Sequence, residues 1–336
     1  MLEALADRLR SVPGIVHKRD IQTAAANLGR WVPHRATQAP ILLGDDCAAI
    51  PDGNSYLLLA AEGLWPTLVE TEPWFAGWCA VLVNISDIYA MGGRAIAVVD
   101  TLWSADADKA QRLWEGMMAA SKAFNVPIVG GHTNCHSPYD ALSVAILGRA
   151  NRLLTSFNAR PGDILMLVTD LEGQPHSQYP FWDAATLKIP AVLQSHLELL
   201  PQLAEAELCD TAKDISMGGI IGTALMLLEA SRCGAVIDIG ALPCPAELSL
   251  EQWLVSFPSY GFLLSVRPNK FEPIKRVIQQ TPLICQAIGE IMAGHKLTLT
   301  AGQESVDFWD WQQQPLTGFA DPSGLSVPLR SGWADN

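Results

Sequence analysis

The sequence predicts a two-domain α/β (or α+β) fold. Short apolar runs bounded by Gly, Pro and Asp turns read as buried strands, and helical stretches lie between them in both halves of the chain. A length of 336 residues is enough for about two domains, each with its own core.

Met1–Ala26 reads as a helix, a turn at Pro13-Gly14, and the start of a second helix after His17-Lys18-Arg19-Asp20. Ile41-Leu42-Leu43 is a short strand that turns at Gly44-Asp45-Asp46, and Cys47–Ile50 follows as another. After the turn Pro51–Asn54, Tyr56–Ala61 is a leucine-rich strand ending at Glu62-Gly63, with a loop over Leu64–Pro73. Gly77–Gly93 is the apolar helix around which the chain is organised; it presents Asn84, Ser86 and Asp87 and stops at Gly92-Gly93. Ala95–Leu102 is strand-like, and Asp106–Phe124 is an amphipathic helix with Leu113, Met117 and Ala120 on one side. Val126–Val129 leads into Gly130-Gly131-His132-Thr133-Asn134, and the strand Ala141–Leu147 closes a first domain of residues 1–155.

Ile164–Thr169, entered through the turn Arg160–Asp163, is a fully apolar strand that opens a second domain of residues 156–300. Gln174–Asp183 is loop-like, and about Ala191 to Glu207 is helical. Asp214-Ile215-Ser216-Met217-Gly218-Gly219 stands directly before the apolar helix Ile220–Ser231. Strands at Ala235–Ile239, Tyr260–Val266, Leu283–Gly289 and Lys296–Thr300 surround a helix at Lys270–Gln280, and residues 301–336 read as an irregular tail packed on this domain.

Composition narrows the partners. Hydrophobic residues make up 49% and charged residues 17%, which is globular, and a net charge of −13 argues against a nucleic-acid or anionic-membrane partner. Such a chain binds a polyphosphate only if metal ions supply positive charge. The amino terminus lacks a signal-like apolar core, Trp74–Val83 is too short to span a bilayer, and the seven widely spaced cysteines contain no CxxC pair. Together these describe a cytoplasmic protein with free thiols.

Four acidic positions stand at element ends: Asp45-Asp46, Glu62, Asp87 and Asp214. Singly, each reads as a turn or capping residue ahead of a ligand. Gathered, they form an oxygen-rich set of the kind Mg²⁺ uses to bridge carboxylates to substrate phosphates. Asn84 lies three residues from Asp87 and shares its helix face. Gly130-Gly131 and Gly218-Gly219 either approach an anion with backbone N–H groups or simply make turns. Lys18 is a phosphate contact or a solvated charge. His132 fits no zinc spacing with Cys135 and His136, and is read with Asn134 as a hydrogen-bonding or acid–base group near a substrate. Neither a P-loop nor a dinucleotide glycine fingerprint is present, and the stripe Trp74, Trp78, Tyr89 reads as packing.

Taken in order, Gly44-Asp45-Asp46-Cys47-Ala48, Asn84–Gly93 (NISDIYAMGG), Gly130-Gly131-His132-Thr133 and Asp214-Ile215-Ser216 resemble the motifs of the AIR synthase-related ATP-binding superfamily. That superfamily includes thiamine-monophosphate kinase, selenophosphate synthetase and FGAM synthase. The resemblance runs from about Ile41 to Gly289. It implies a PurM-like two-domain fold: an amino-terminal domain that pairs across a homodimer into a β-barrel, and a carboxy-terminal α/β domain. It also implies ATP in the groove between domains, Mg²⁺ held by Asp45, Asp46, Glu62, Asp87 and Asp214, and a small-molecule acceptor. Glu62 departs from the pattern, since relatives usually carry Asp there. The GGEDYEL segment of thiamine-monophosphate kinase is replaced by Phe257–Leu263, and the cysteine motifs of other members are missing, so no one substrate transfers. The expectation is ATP- and Mg²⁺-dependent phosphoryl transfer to, or activation of, a small metabolite. The alternative is a nucleotide-binding regulatory or scaffold subunit that has lost catalysis.

Overall fold

The structure is a computed structural model describing residues 1–28 and 43–319. Its amino-terminal segment is a run of short helices, α1 (Leu2–Arg10), α2 (Pro13–Val16), a 3₁₀ turn at His17–Asp20 and α3 (Ile21–Leu28). Pro13 thus starts a helical turn, as a residue with fixed φ and no N–H is suited to do, in place of the expected bend. Leu2, Ala6 and Leu9 of α1 recur at helical spacing and are buried with Ile15 in the core of the second sheet. In packing terms this segment belongs with the carboxy-terminal half.

The first sheet contains β1 (Ala48–Asp52) and β2 (Ser55–Gly63), followed by α4 (Pro66–Thr71) and α5 (Pro73–Ala90). The loop expected over Leu64–Pro73 therefore holds a helix, begun by Pro66 at its first position. Then come β3 (Arg94–Trp103), α6 (Ala107–Phe124), β4 (Ile128–Asn134) and β5 (Ala141–Ala150), in the order β1-β2-β5-β3-β4. Among the described strands of this sheet only β3 and β4 pair in parallel, because α6 carries the chain back between them. The glycine-rich stretch Gly130–Asn134, into which the expected strand Val126–Val129 leads, is itself strand throughout, so Gly130-Gly131 makes no turn.

Helix α5 lies on this sheet and is buried nearly all round, as its apolar composition requires. It crosses α6 where Gly77 abuts the Leu113 carbonyl and Gly116 abuts the Trp74 carbonyl; a Cβ at either glycine would collide with the facing backbone. Asp106 caps α6 by accepting from the Asp108 and Lys109 N–H groups. At the other end of α5, Gly92 takes φ +73° and the Gly93 N–H bonds the Ile88 carbonyl at 3.0 Å.

The second half comprises β6 (Ile164–Thr169), β7 (Gln174–Pro175), β8 (Trp182–Asp183), α7 (Pro190–Glu205), β9 (Ala212–Asp214), α8 (Gly219–Ser231) and β10 (Gly234–Asp238). It continues with α9 (Leu250–Val255), β11 (Gly261–Val266), α10 (Phe271–Ile278), β12 (Ile284–Met292), β13 (Lys296–Ala301) and β14 (Glu304–Asp310). The described strands form a seven-stranded sheet in the order β14-β13-β10-β12-β6-β11-β9, with β7 and β8 pairing separately. β14 corrects the reading of an irregular tail: Val306, Phe308 and Trp309 give it an apolar edge that pairs with β13. The seven-stranded sheet is a middle layer. On β6, Met166 and Val168 face the core shared with α5, α6 and α7, while Leu165 and Leu167 face the core under α8 and α9. The groove between the halves is lined by the carboxyl ends of α5 and β2, the turn before β1, and the segment joining β9 to α8.

Candidate active site

A cavity of about 340 Å³ opens between the two halves. Asp45 and Asp46 reach it from the turn before β1, Glu62 from the end of β2, Asp87 from α5 and Asp214 from the end of β9. Four elements distant in sequence thus deliver five carboxylates to one groove. On α5 the groove-facing residues are Cys79, Val83 and Asp87, four apart as a helix face demands.

Carboxylate oxygens of Asp46, Asp87 and Asp214 lie within 4.8 Å of one another. Asp87 is buried, and its Oδ2 has no hydrogen-bond partner among the described residues. Loss of solvation drives the Asp87 carboxyl far above the ordinary range, with Asp214, Glu62 and Asp46 adding repulsion. The Asp214 carboxyl is pushed up to about 8, by burial first and then by Asp46. Three close oxygen donors, one of them unpartnered and two reluctant to ionise alone, form a set that a hard divalent cation satisfies. On that test Mg²⁺ fits the residues present.

Asp45 stands one step back from this triad. Its Oδ1 accepts from Ser156 Oγ at 2.6 Å and from the Asp46 N–H at 3.0 Å, and its Oδ2 accepts from the Ser156 N–H at 2.7 Å. Burial, then repulsion from Asp46, raises its carboxyl to about 6. Its oxygens are occupied in tying the turn before β1 to the start of the second half. Glu62 opens onto the groove, where the surrounding protein strips part of its solvation and raises its carboxyl while Lys18 pulls the other way.

Lys213, directly before Asp214 on β9, was not legible as a site residue. Its ammonium is buried, paired with Asp46 and 4.0 Å from Asp45 Oδ1. Burial disfavours this charge, but Asp46 and Asp45 outweigh the penalty and hold the ammonium protonated well beyond the usual lysine range. Lys18, half-buried on the 3₁₀ turn, faces the same cavity, and desolvation lowers its pKa against the pull of Glu62. Only alternation along β9 points Lys213 inward, and three residues are too few to show it.

Other candidate residues are placed differently. Asn84 is fully buried within α5 and donates to the Ala80 carbonyl at 2.8 Å, leaving its Oδ1 without a partner among the described residues. Gly218 and Gly219 start α8 with φ of +107° and +63°, and the Gly219 N–H bonds the Ser216 carbonyl at 2.9 Å; Ser216 and Met217 line the groove in their stead. Gly130, Gly131, His132 and Asn134 lie on β4, three strand spacings from β2, roughly 14 Å away. They do not line the cavity.

One rim of the groove is aromatic: Trp65 meets Phe257 edge-on at 5.4 Å and Phe181 at 5.9 Å. The other rim is a strap. Buried Glu229 of α8 accepts from the N–H groups of Leu316, Thr317 and Gly318 and from Thr317 Oγ1, at 2.7–3.1 Å. Gln22 of α3 donates to the Pro315 carbonyl at 2.7 Å. This holds Thr317 and Phe319 in the groove wall, with Phe319 packed over Gly44.

Sequence comparison matches residues 44–150 to the family model described as AIR synthase related protein, N-terminal domain, and residues 160–302 to that described as AIR synthase related protein, C-terminal domain. An uncharacterized protein of Synechocystis sp. is 60% identical over 96% of this chain and 100% of its own length. The thiamine-monophosphate kinase of Pyrococcus abyssi is 28% identical over 80% of this chain and 90% of its own. Among solved structures, T. maritima PurL complexed with ATP superposes with TM-score 0.67 at 17% identity, covering 78% of this chain and 45% of that one. AaThiL complexed with AMPPCP and TMP superposes with TM-score 0.62 at 22% identity, covering 79% and 89%. The chain spans about half the length of PurL, and these structural likenesses bear on the fold.

Proposed function

Because the chain belongs to the AIR synthase-related family, whose two domain models cover most of it, we propose that its groove binds ATP with Mg²⁺ and moves the γ-phosphoryl group to an oxygen of a small metabolite. The product is a phosphate ester or an activated intermediate. The observation that carries this reading is the convergence of Asp46, Asp87 and Asp214 from three elements to within 4.8 Å. Relatives support it: the family includes a thiamine-monophosphate kinase, and a PurL of the same fold was solved with ATP.

Asp46, Asp87 and Asp214 would hold the divalent ions, with Glu62 at the groove edge. Bound there, Mg²⁺ neutralises phosphate charge and orients the nucleotide. The chain's own residues do the rest. Lys213 and Lys18 offer positive charge to the equatorial oxygens of a loose phosphoryl-transfer transition state. Trp65, Phe181 and Phe257 supply an apolar wall for a base, and the Thr317–Phe319 strap limits water.

A second copy of the chain fits the outer face of the five-stranded sheet. Leu59, Val99 and Leu147, on three adjacent strands, are 48%, 43% and 37% exposed there, opposite the buried Leu58, Val98 and Ile146. A part for His132 and Asn134 at an acceptor requires such a copy, since within one chain they lie away from the groove.

One observation favours the second reading, a catalytically lapsed nucleotide-binding subunit. Lys213 already occupies Asp46, which a fully loaded metal centre would need. Calorimetry of ATP binding with and without Mg²⁺, on wild type and Asp87→Asn, tests the site; ATP turnover across a pool of small metabolites separates enzyme from subunit. Metal-dependent binding lost in Asp87→Asn, together with turnover, supports the proposal. ATP binding indifferent to Mg²⁺ and to the substitution sinks it.

A further inference from the structure

The acid cluster divides the groove into two ends. The aromatic rim packs against the start of α5, where Phe75 meets Phe181 at 6.0 Å, and Asp87 lies about 18 Å further along that helix. The strap closes the opposite end, and its walls form one continuous surface. Lys18 and Ile21 line the groove from one face of the amino-terminal helical segment, being three residues apart. Gln22 ties that segment to the strap, and a Cβ on Gly14 would sit 3.4 Å from Met217 Cγ, just before α8. Met226 lies three residues before the strap's anchor, Glu229, and so on the strap's side of α8. Lys18, Ile21, Thr317 and Phe319 all stand outside the two matched domains, so kinship with the family does not fix what binds here.

Chemically this end is apolar, with one charge. Ile21, Met217, Met226 and Phe319 offer hydrocarbon and two thioethers, a surface that adapts to varied shapes. The Thr317 hydroxyl is engaged by Glu229 at 2.9 Å. The charge is Lys18. Lys213 is paired with Asp46, whereas Lys18 makes no ion pair among the described residues. Burial disfavours its ammonium, and Glu62, Asp214 and Asp46 favour it only from a distance. An anion brought in by a ligand would satisfy this cation. An anion entering a groove of five carboxylates in turn requires such a cation nearby.

We propose that the strap end receives the acceptor, and that the acceptor is an apolar carboxylic acid. Its carboxylate lies on Lys18 and its carbon body on Ile21, Met217, Met226 and Phe319. The word acceptor rests on the phosphoryl-transfer reading; carboxylate binding itself does not. In the transfer, a carboxylate oxygen bonds to the γ-phosphorus while the bond from that phosphorus to the β–γ bridging oxygen breaks. The bridging oxygen keeps the electron pair and leaves with ADP, and the product is an acyl phosphate. No proton moves, so this acceptor needs no general base, as an alcohol would.

The test uses full-length protein labelled with ¹³C at its methionine methyl groups, without nucleotide or metal. Met217→Leu and Met226→Leu identify the two resonances by their loss. Hexanoate and hexan-1-ol are titrated separately. Saturable shifts of both methyls with hexanoate are expected, about tenfold weaker with hexan-1-ol and, for hexanoate, about tenfold weaker in Lys18→Gln. Hexan-1-ol binding as tightly as hexanoate, hexanoate affinity indifferent to Lys18→Gln, or no response to either probe overturns the carboxylate site. ATP, Mg²⁺, hexanoate and hydroxylamine together should then yield hexanohydroxamate, the trapped form of the acyl phosphate. Binding of both hexanoate and ATP without hydroxamate would strip the site of its role in transfer. If hexanoate binds but ATP fails to bind in calorimetry, the phosphoryl-transfer reading falls and the carboxylate site stands.

Discussion

Lys213 and Asp46 form a buried ion pair inside a groove that gathers five carboxylates and two lysines. The ammonium sits where a divalent ion bridging Asp46 would compete for the same oxygen. Lys213→Met should therefore tighten Mg²⁺ binding in the absence of nucleotide by roughly tenfold, since a unit charge about 4 Å away is removed. It should also cost about 3–5 kcal/mol of metal-free stability by leaving Asp46 buried and unpaired. Mg²⁺ calorimetry and urea denaturation read the two effects. Unchanged Mg²⁺ affinity would show that lysine and metal do not share Asp46.

The raised carboxyls fix the direction of a pH effect. Asp45 at about 6 and Asp214 at about 8 keep protons that the unfolded chain releases near pH 4. Between pH 4 and 8 the folded state binds more protons, so these groups make metal-free stability fall as pH rises through that window. The denaturation midpoint without metal should be lower at pH 8 than at pH 5, and Mg²⁺ should narrow the gap. A midpoint that climbs over this range would contradict the placement of both acids.

Asp45 and Asp87 should part company under substitution. Asp45→Asn weakens the bonds to Ser156 and should cost about 1–3 kcal/mol while leaving Mg²⁺-dependent ATP binding in place. Asp87→Asn should abolish that binding and, since burial already disfavours the ionised carboxyl there, leave metal-free stability nearly unchanged. Loss of metal binding in Asp45→Asn would return Asp45 to the metal shell.

Glu229→Ala would leave the buried N–H groups of Leu316 and Thr317, the half-buried one of Gly318 and a hydroxyl without their acceptor. A loss of about 3 kcal/mol is expected, with weaker nucleotide binding because Thr317 and Phe319 leave the wall. Stability lost with nucleotide affinity unchanged would separate the strap from the site.

Leu147→Lys places a charge at the centre of the exposed sheet face. Light scattering should report a dimer for wild type and a monomer for the variant, with little change in the monomer's fold. A monomeric wild type would remove the second copy from the proposal.

Much of this was legible because local pattern and tertiary packing agreed. Ile164–Thr169, buried on both faces, has the same bounds in the sequence reading and in the structure. The helix ending at Ala90 was recognisable from its apolar run and terminal glycines. Asp46, Asp87 and Asp214 stood out as acids at element ends, although nothing local revealed that they meet. Lys213, Glu229 and the Trp65–Phe257 pair escaped because their partners are distant in sequence: Lys213 meets an acid 167 residues away, and Glu229 holds backbone 87 to 89 residues on. Gly130–Asn134 misled for the opposite reason. Two adjacent glycines signal a turn locally, but pairing along β3 overrides them.

The Glu229 strap also sets an order of events during synthesis. A chain emerging from the ribosome can fold its first sheet early, since those strands and helices lie together in sequence. One wall of the groove nevertheless comes from Thr317 and Phe319, fastened to residues as early as Gln22. The nascent protein completes its acid cluster only once Asp214 has been made, and holds it in a half-built cleft until the strap follows. It gains a closed site only when nearly all of the described chain has been made.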